Sequence, residues 1–124
     1  MYRPALAAIT VAGVALAIAG AAFSHTDSTP TLIGTTGPGF HITLKTTSGK
    51  LVKTLARSGM YKFVIHDKSK IHGFSLDGPH GFAHDFTKIP FVGTKTSTIM
   101  LKAGKYKYYC PNHESIMFAH FTVK

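Results

Sequence analysis

The sequence predicts an all-β chain: a two-sheet antiparallel sandwich with Greek-key connections, preceded by an N-terminal signal helix. Three observations carry that expectation. Apolar residues recur with period two in short runs, the runs are punctuated by Gly-, Ser- and Pro-bearing turns at near-regular spacing, and no stretch after the first two dozen residues shows helical periodicity. At 124 residues the chain is long enough for one hydrophobic core and too short for two.

Residues 1–24 read as a signal peptide or membrane anchor. Ala5 to Ala22 contain only Ala, Leu, Ile, Thr, Val and Gly behind Arg3, and Ala22-Phe23-Ser24 has the small-x-small form of a cleavage site. The run also approaches the roughly 20 apolar residues that span a bilayer, so an uncleaved anchor is the alternative. Residues 25–37 are rich in Thr, Ser, Gly and Pro and read as a flexible linker. The folded domain is expected over 38–124. Its first strand alternates Phe40, Ile42 and Leu44 against His41, Thr43 and Lys45, and the next alternates Tyr61, Phe63 and Ile65 against Lys62, Val64 and His66. Ile71 to Leu76, Ser97 to Lys102, Lys105 to Cys110 and Phe118 to Lys124 follow as strands. Between them lie turns at Ser48-Gly49, Ser58-Gly59, Asp77-Gly78-Pro79 and Ala103-Gly104.

Composition narrows the function. Fourteen Lys and Arg against five Asp and Glu give a formal charge of +9, which favours an acidic docking partner or an anionic membrane surface. Nucleic acid is disfavoured by the export signal and by the lack of a Lys/Arg cluster on any one helix. The single cysteine cannot form an internal disulfide, so in an exported chain it is either a free thiol or a ligand.

That cysteine stands in Tyr108-Tyr109-Cys110-Pro111-Asn112-His113-Glu114-Ser115-Ile116-Met117, where thiolate, imidazole and thioether share one short loop. With a second histidine they form the two-histidine, one-cysteine set with a weak axial methionine that holds type 1 copper. Strand parity sorts the eight histidines. His41, His66 and His120 alternate with large apolar residues and should face solvent, whereas His72 shares parity with Phe74 and Leu76 and should face the core. A buried imidazole needs a partner, which a backbone carbonyl or a metal can supply. Cys110 shares parity with Tyr106 and Tyr108, and Met117 with Phe121 and Val123, so both should point inward. Each residue alone also has an ordinary reading, with Cys110 a small buried hydrophobe, Met117 core filler and His113 an exposed loop residue.

The Cys-x-x-His loop with its methionine resembles the cupredoxins, the small blue-copper proteins such as plastocyanin, amicyanin and azurin. His72-Gly73-Phe74-Ser75-Leu76-Asp77-Gly78-Pro79, Phe91-Val92-Gly93-Thr94-Lys95-Thr96 and Lys105-Tyr106-Lys107-Tyr108 extend the likeness over roughly residues 38–124. The resemblance implies one copper ion held by His72, Cys110, His113 and Met117 in a cupredoxin-like domain, and an exported one-electron carrier, periplasmic, secreted or cell-surface, working as a monomer with a redox protein partner. It does not imply an enzyme. The same fold also serves copper carriage or scavenging without electron shuttling, and a metal-free sandwich could serve adhesion.

Three departures from the family pattern stand out. Gly73 occupies the position where relatives often carry an asparagine that braces the cysteine loop. Pro111 follows the cysteine instead of preceding the histidine, so the Asn112 amide is expected to donate to the Cys110 sulfur. Phe118-Ala119-His120 follow Met117 where glycine is common. Electrons are expected to leave through His113, with Phe82, Ile116 and Phe118 as a docking rim. His80 and His84, four apart, are at most a weak second metal site, and His25 becomes an N-terminal chelator only if cleavage follows Ser24.

Overall fold

A computed structural model describes residues 28–124, together with Gly13, Ala15 and Gly20. The signal helix over 1–24, its cleavage sites and His25 lie outside the described residues. No helix among the described residues is long and apolar enough to cross a membrane.

Among the described residues nine strands form two sheets. The first sheet orders β2 (Ile42–Thr46), β1 (Thr31–Thr36), β4 (Gly59–Asp67) and β7 (Gly93–Leu101), and the second orders β3 (Thr54–Leu55), β9 (Phe118–Val123), β8 (Gly104–Tyr109), β5 (Phe74–Asp77) and β6 (Ala83–Thr87). Connections pass repeatedly from one sheet to the other, at β2 to β3, β3 to β4, β4 to β5, β6 to β7 and β7 to β8. Both sheets are mixed where a purely antiparallel sandwich was expected. β1 runs parallel to β4, with Leu32 opposite Phe63 and Thr36 opposite Asp67, and β3 runs parallel to β9. Period-two patterning identifies strands but says nothing about their direction, which is why this escaped the sequence.

β1 also corrects the linker expectation. Thr31–Thr36 lies between β2 and β4, with Leu32, Gly34 and Thr36 buried in alternation. Only one of those three carries a large apolar side chain, and Gly34 explains why. A Cβ there would collide with Ile65 Cδ1 and lie 2.9 Å from Phe74, so glycine lets the opposite sheet approach this strand. Composition mistook a central strand for a tether.

The core is built where the inner faces meet. Leu44, Phe63 and Ile65 from the first sheet and Phe74, Leu76, Phe86, Tyr106, Tyr108 and Phe121 from the second are all buried. Phe63 and Phe86 join the sheets with ring centroids 5.0 Å apart, while Phe74 stacks on Tyr108 at 5.6 Å and Tyr106 on Phe121 at 5.1 Å. Such aromatic pairs add about 0.5–1.5 kcal/mol each beyond their area. Phe74 at the start of β5 and Tyr108 near the end of β8 carry this core up to the end of the sandwich where β8 turns into β9.

Candidate metal centre

The cysteine loop is the hairpin between β8 and β9. Tyr109 pairs with Phe118, and the next rung is closed by the Cys110 amide donating to the Met117 carbonyl at 3.0 Å. Residues opposite one another in an antiparallel pair share a face, so Cys110 and Met117 leave the neck of this hairpin on the same, inward side. Both are buried, at 0% and 1% exposure. Between them Pro111–His113 make a single 3-10 turn, and the His113 carbonyl accepts from the amides of Ile116 at 3.0 Å and Met117 at 2.8 Å. The tip that carries His113 is therefore tied back to the neck.

His72 arrives from the other side. It lies in the connection from β4 to β5, one residue before Gly73 and two before the first residue of β5, with its amide bonded to the Ser69 carbonyl at 3.2 Å. The expected strand from Ile71 thus starts at Phe74. Parity still foretold the burial of His72, which is 0% exposed, but not for a strand's reason, since Ser75 of β5 is buried too and bonds Asp85 at 2.6 Å.

Three donor atoms converge. His72 Nδ1 lies 3.1 Å from His113 Nδ1, and Cys110 Sγ lies 3.7 Å from the former and 3.6 Å from the latter. These three are the one group of three or more His, Cys, Asp or Glu residues with metal-site spacing among the described residues. The point equidistant from the three atoms is about 2.0 Å from each, within the roughly 2.0–2.3 Å of first-row metal bonds to imidazole nitrogen and thiolate sulfur. One sulfur and two nitrogens at that radius fit a soft or borderline ion.

The surroundings refine the sequence reading. The amide that faces the cysteine sulfur belongs to Gly73, at 3.5 Å, and not to Asn112. Asn112 instead sends its side-chain amide to the Ile71 carbonyl at 3.4 Å, so the tie between loop and histidine segment runs from the cysteine side. Gly73 fits because a Cβ there would sit 2.7 Å from the Thr87 carbonyl oxygen.

Phe40 is the residue that sequence reasoning missed. Expected in the core by alternation, it precedes β2 and is 54% exposed, with its ring edge-on to both His72 and His113 at 5.5 and 5.0 Å. No period-two signal can reveal a residue whose partners lie on two other segments.

Ile71, Ile116 and Phe118 are also exposed. Phe82 is not part of that rim. It packs on the core beside Tyr106, near the turn where Pro79 meets Gly104, at the opposite end of β8. His41 and His120 face solvent and His66 is half-buried, bonding Thr94 at 3.0 Å; His80 is exposed, and His84 lies edge-on to Phe86 at 4.5 Å.

On the outer face of the hairpin Lys107 pairs with Glu114 at 2.8 Å and lies over the rings of Tyr109 and Phe118. Tyr109 donates to Asp77 at 3.1 Å. Burial, and then the Asp77 carboxylate, push its phenol up to about 12.

Neither a protein-family model nor a curated protein matches the sequence. Solved structures match the fold. A rusticyanin mutant superposes with a TM-score of 0.51 at 18% identity over 76% of each chain. Auracyanin A, a "blue" copper protein from the green thermophilic photosynthetic bacterium Chloroflexus aurantiacus, gives 0.53 at 14% identity over 78% of this chain and all of that one. A chain of a heme-copper terminal oxidase dimer gives 0.55 at 16% identity, covering 82% of this chain and 68% of that one. At these identities the likeness establishes the fold, which is that of the cupredoxins.

Proposed function

We propose that this cupredoxin-fold chain is a type 1 copper protein and one-electron carrier, with His72, Cys110 and His113 holding one copper ion and Met117 as the weak axial ligand. The observation that carries the proposal is the donor triangle, whose three atoms are equidistant from a point about 2.0 Å away. A bound copper ion supplies the cuprous/cupric couple. The protein's part is to hold its donors where neither oxidation state moves them far. Cys110 and Met117 are fixed by the hairpin neck, His113 by the two amides on its carbonyl, and His72 by its own amide on Ser69. The Gly73 amide donates toward the sulfur and stabilises negative charge there.

His113 is half-buried where His72 and Cys110 are fully buried, so it is the route for electrons, beneath the edge of Phe40 and beside the exposed Ile71 and Ile116. The rim is apolar and the chain carries +9, which suits a redox partner with an acidic border around an apolar centre. The burial of Cys110 favours retention of the metal over its rapid transfer to an acceptor, and so the electron carrier over the copper carrier. Export, with 1–24 as signal peptide or anchor, a monomeric state and the absence of enzymatic activity belong to the same proposal.

Cupric ion added to the purified chain tests it. The expected result is an intense visible sulfur-to-copper band with a narrow hyperfine splitting in the electron-spin spectrum, lost in Cys110→Ser. A colourless complex, or one unchanged by that substitution, refutes the reading.

A further inference from the structure

The buried polar atoms left without a hydrogen-bond partner among the described residues are Thr36 Oγ1, Asp67 Oδ2, His72 Nε2 and Thr87 Oγ1. Buried polar groups are nearly always paired, so a cluster of orphans marks a place where structure is incomplete without something further. Three of the four belong to His72 and to the ends of two strands whose following residues pack on it or lead to it. Thr36 and Asp67 are the last residues of β1 and β4, directly opposite each other in the parallel ladder, and both are buried on the face that carries Phe63 and Ile65. Gly37 follows Thr36 with φ +75°, and its backbone packs so closely on His72 that a Cβ would stand 3.0 Å from the ring's Cδ2, the atom bonded to Nε2. The other Asp67 oxygen, Oδ1, accepts from the Ser69 amide at 3.1 Å, and the Ser69 carbonyl accepts from His72 at 3.2 Å. One carboxylate thus anchors the turn that presents His72 and leaves its second oxygen buried and unpartnered.

Asp67 is also anomalous as a charge. It is 2% exposed, and no Lys, Arg or His forms a salt bridge with it among the described residues. An uncompensated buried carboxylate is costly unless a positive centre lies nearby.

We propose that Asp67 is a positioning residue for His72: Nε2–H donates to the Asp67 carboxylate across one internal water that Thr36 Oγ1 also holds. A water with three polar partners satisfies all three orphans at once. The bond keeps the proton on Nε2 and leaves Nδ1 as a bare lone pair aimed at Cys110 and His113, the tautomer a metal ligand needs. In the metal-free protein the proton in the 3.1 Å gap between the two Nδ1 atoms then belongs to His113. Asp67 sets the ligand's orientation, and the positive centre beyond the ring offsets its charge. The second part of this inference rests on the proposed copper site, whereas the tautomer does not.

Ring-nitrogen NMR of the 15N-labelled, metal-free chain, at a pH where His72 is neutral, tests the inference without copper. The expected signature is protonated Nε2 and bare Nδ1, and a predominant Nδ1–H form in the wild type overturns it. Asp67→Asn keeps the bond to Ser69 but turns a donor toward the water. It is expected to raise the Nδ1–H population and weaken copper binding roughly 10–100-fold; no change in either overturns the role. If that variant does not fold, the wild-type tautomer decides alone. A chain whose Nε2–H form gives way to Nδ1–H in Asp67→Asn but which shows no blue colour keeps the Asp67 inference and loses the copper reading; a blue chain indifferent to Asp67→Asn does the reverse.

Discussion

Phe40 lies outside the proposed ligand set yet touches two of its members. Its ring stands edge-on to both imidazoles and is itself exposed, so it holds water off the half-buried His113 and the buried His72 behind it. Phe40→Ala is expected to lower the midpoint potential of the copper form, because water admitted beside the histidines stabilises the more highly charged cupric state. The same change should cost only about 1 kcal/mol in stability, the worth of lost aromatic edge contacts on a half-exposed ring. Voltammetry alongside a denaturant titration separates the two effects. An unchanged potential would show that the ring shields nothing.

At the level of elements, the site is a hairpin docked against a connection. The hairpin fixes Cys110, His113 and Met117 relative to one another, and the β4–β5 connection supplies His72 and, through Gly73, the amide at the sulfur. Gly73 is where the two meet most tightly. Gly73→Ala would force its Cβ within 2.7 Å of the Thr87 carbonyl oxygen, backbone that cannot swing aside. A loss of about 1–3 kcal/mol in unfolding free energy is expected, with weaker metal binding because the amide and His72 move together. Wild-type stability in the alanine variant would mean that β6 yields more easily than the packing suggests.

For the whole molecule, pH sensitivity on the alkaline side follows from the buried phenols. Burial raises the ionisation of Tyr106 and Tyr108, and burial with the Asp77 carboxylate carries Tyr109 to about 12 from 10.0. Each group is held neutral in the native state, so its contribution is complete below pH 10, the unfolded value, and is lost as pH rises through its raised native value, which for Tyr109 is about 12. Alkaline unfolding should therefore steepen over that interval, and Tyr109→Phe should flatten the slope while forfeiting the bond to Asp77, worth about 1 kcal/mol at neutral pH. A variant with the wild-type slope would place the alkaline transition elsewhere.

By itself the sequence determined the β class and most of the strands and singled out Cys110 and His113, two members of the candidate cluster, because period-two patterning and the chemistry of one short loop are local properties. Burial of His72 was legible too, although it comes from a connection and not from the strand its parity implied. Strand direction, the central place of Thr31–Thr36, the Gly73 amide at the sulfur and the cover of Phe40 were decided only by tertiary structure. Alternation records which face of a strand is wet; it cannot record which strand lies alongside or which distant segment closes over an end. The pairing of Thr36 with Asp67 is the clearest case, since two buried polar residues 31 positions apart come side by side only when two parallel strands end together, one of them at the connection that carries His72.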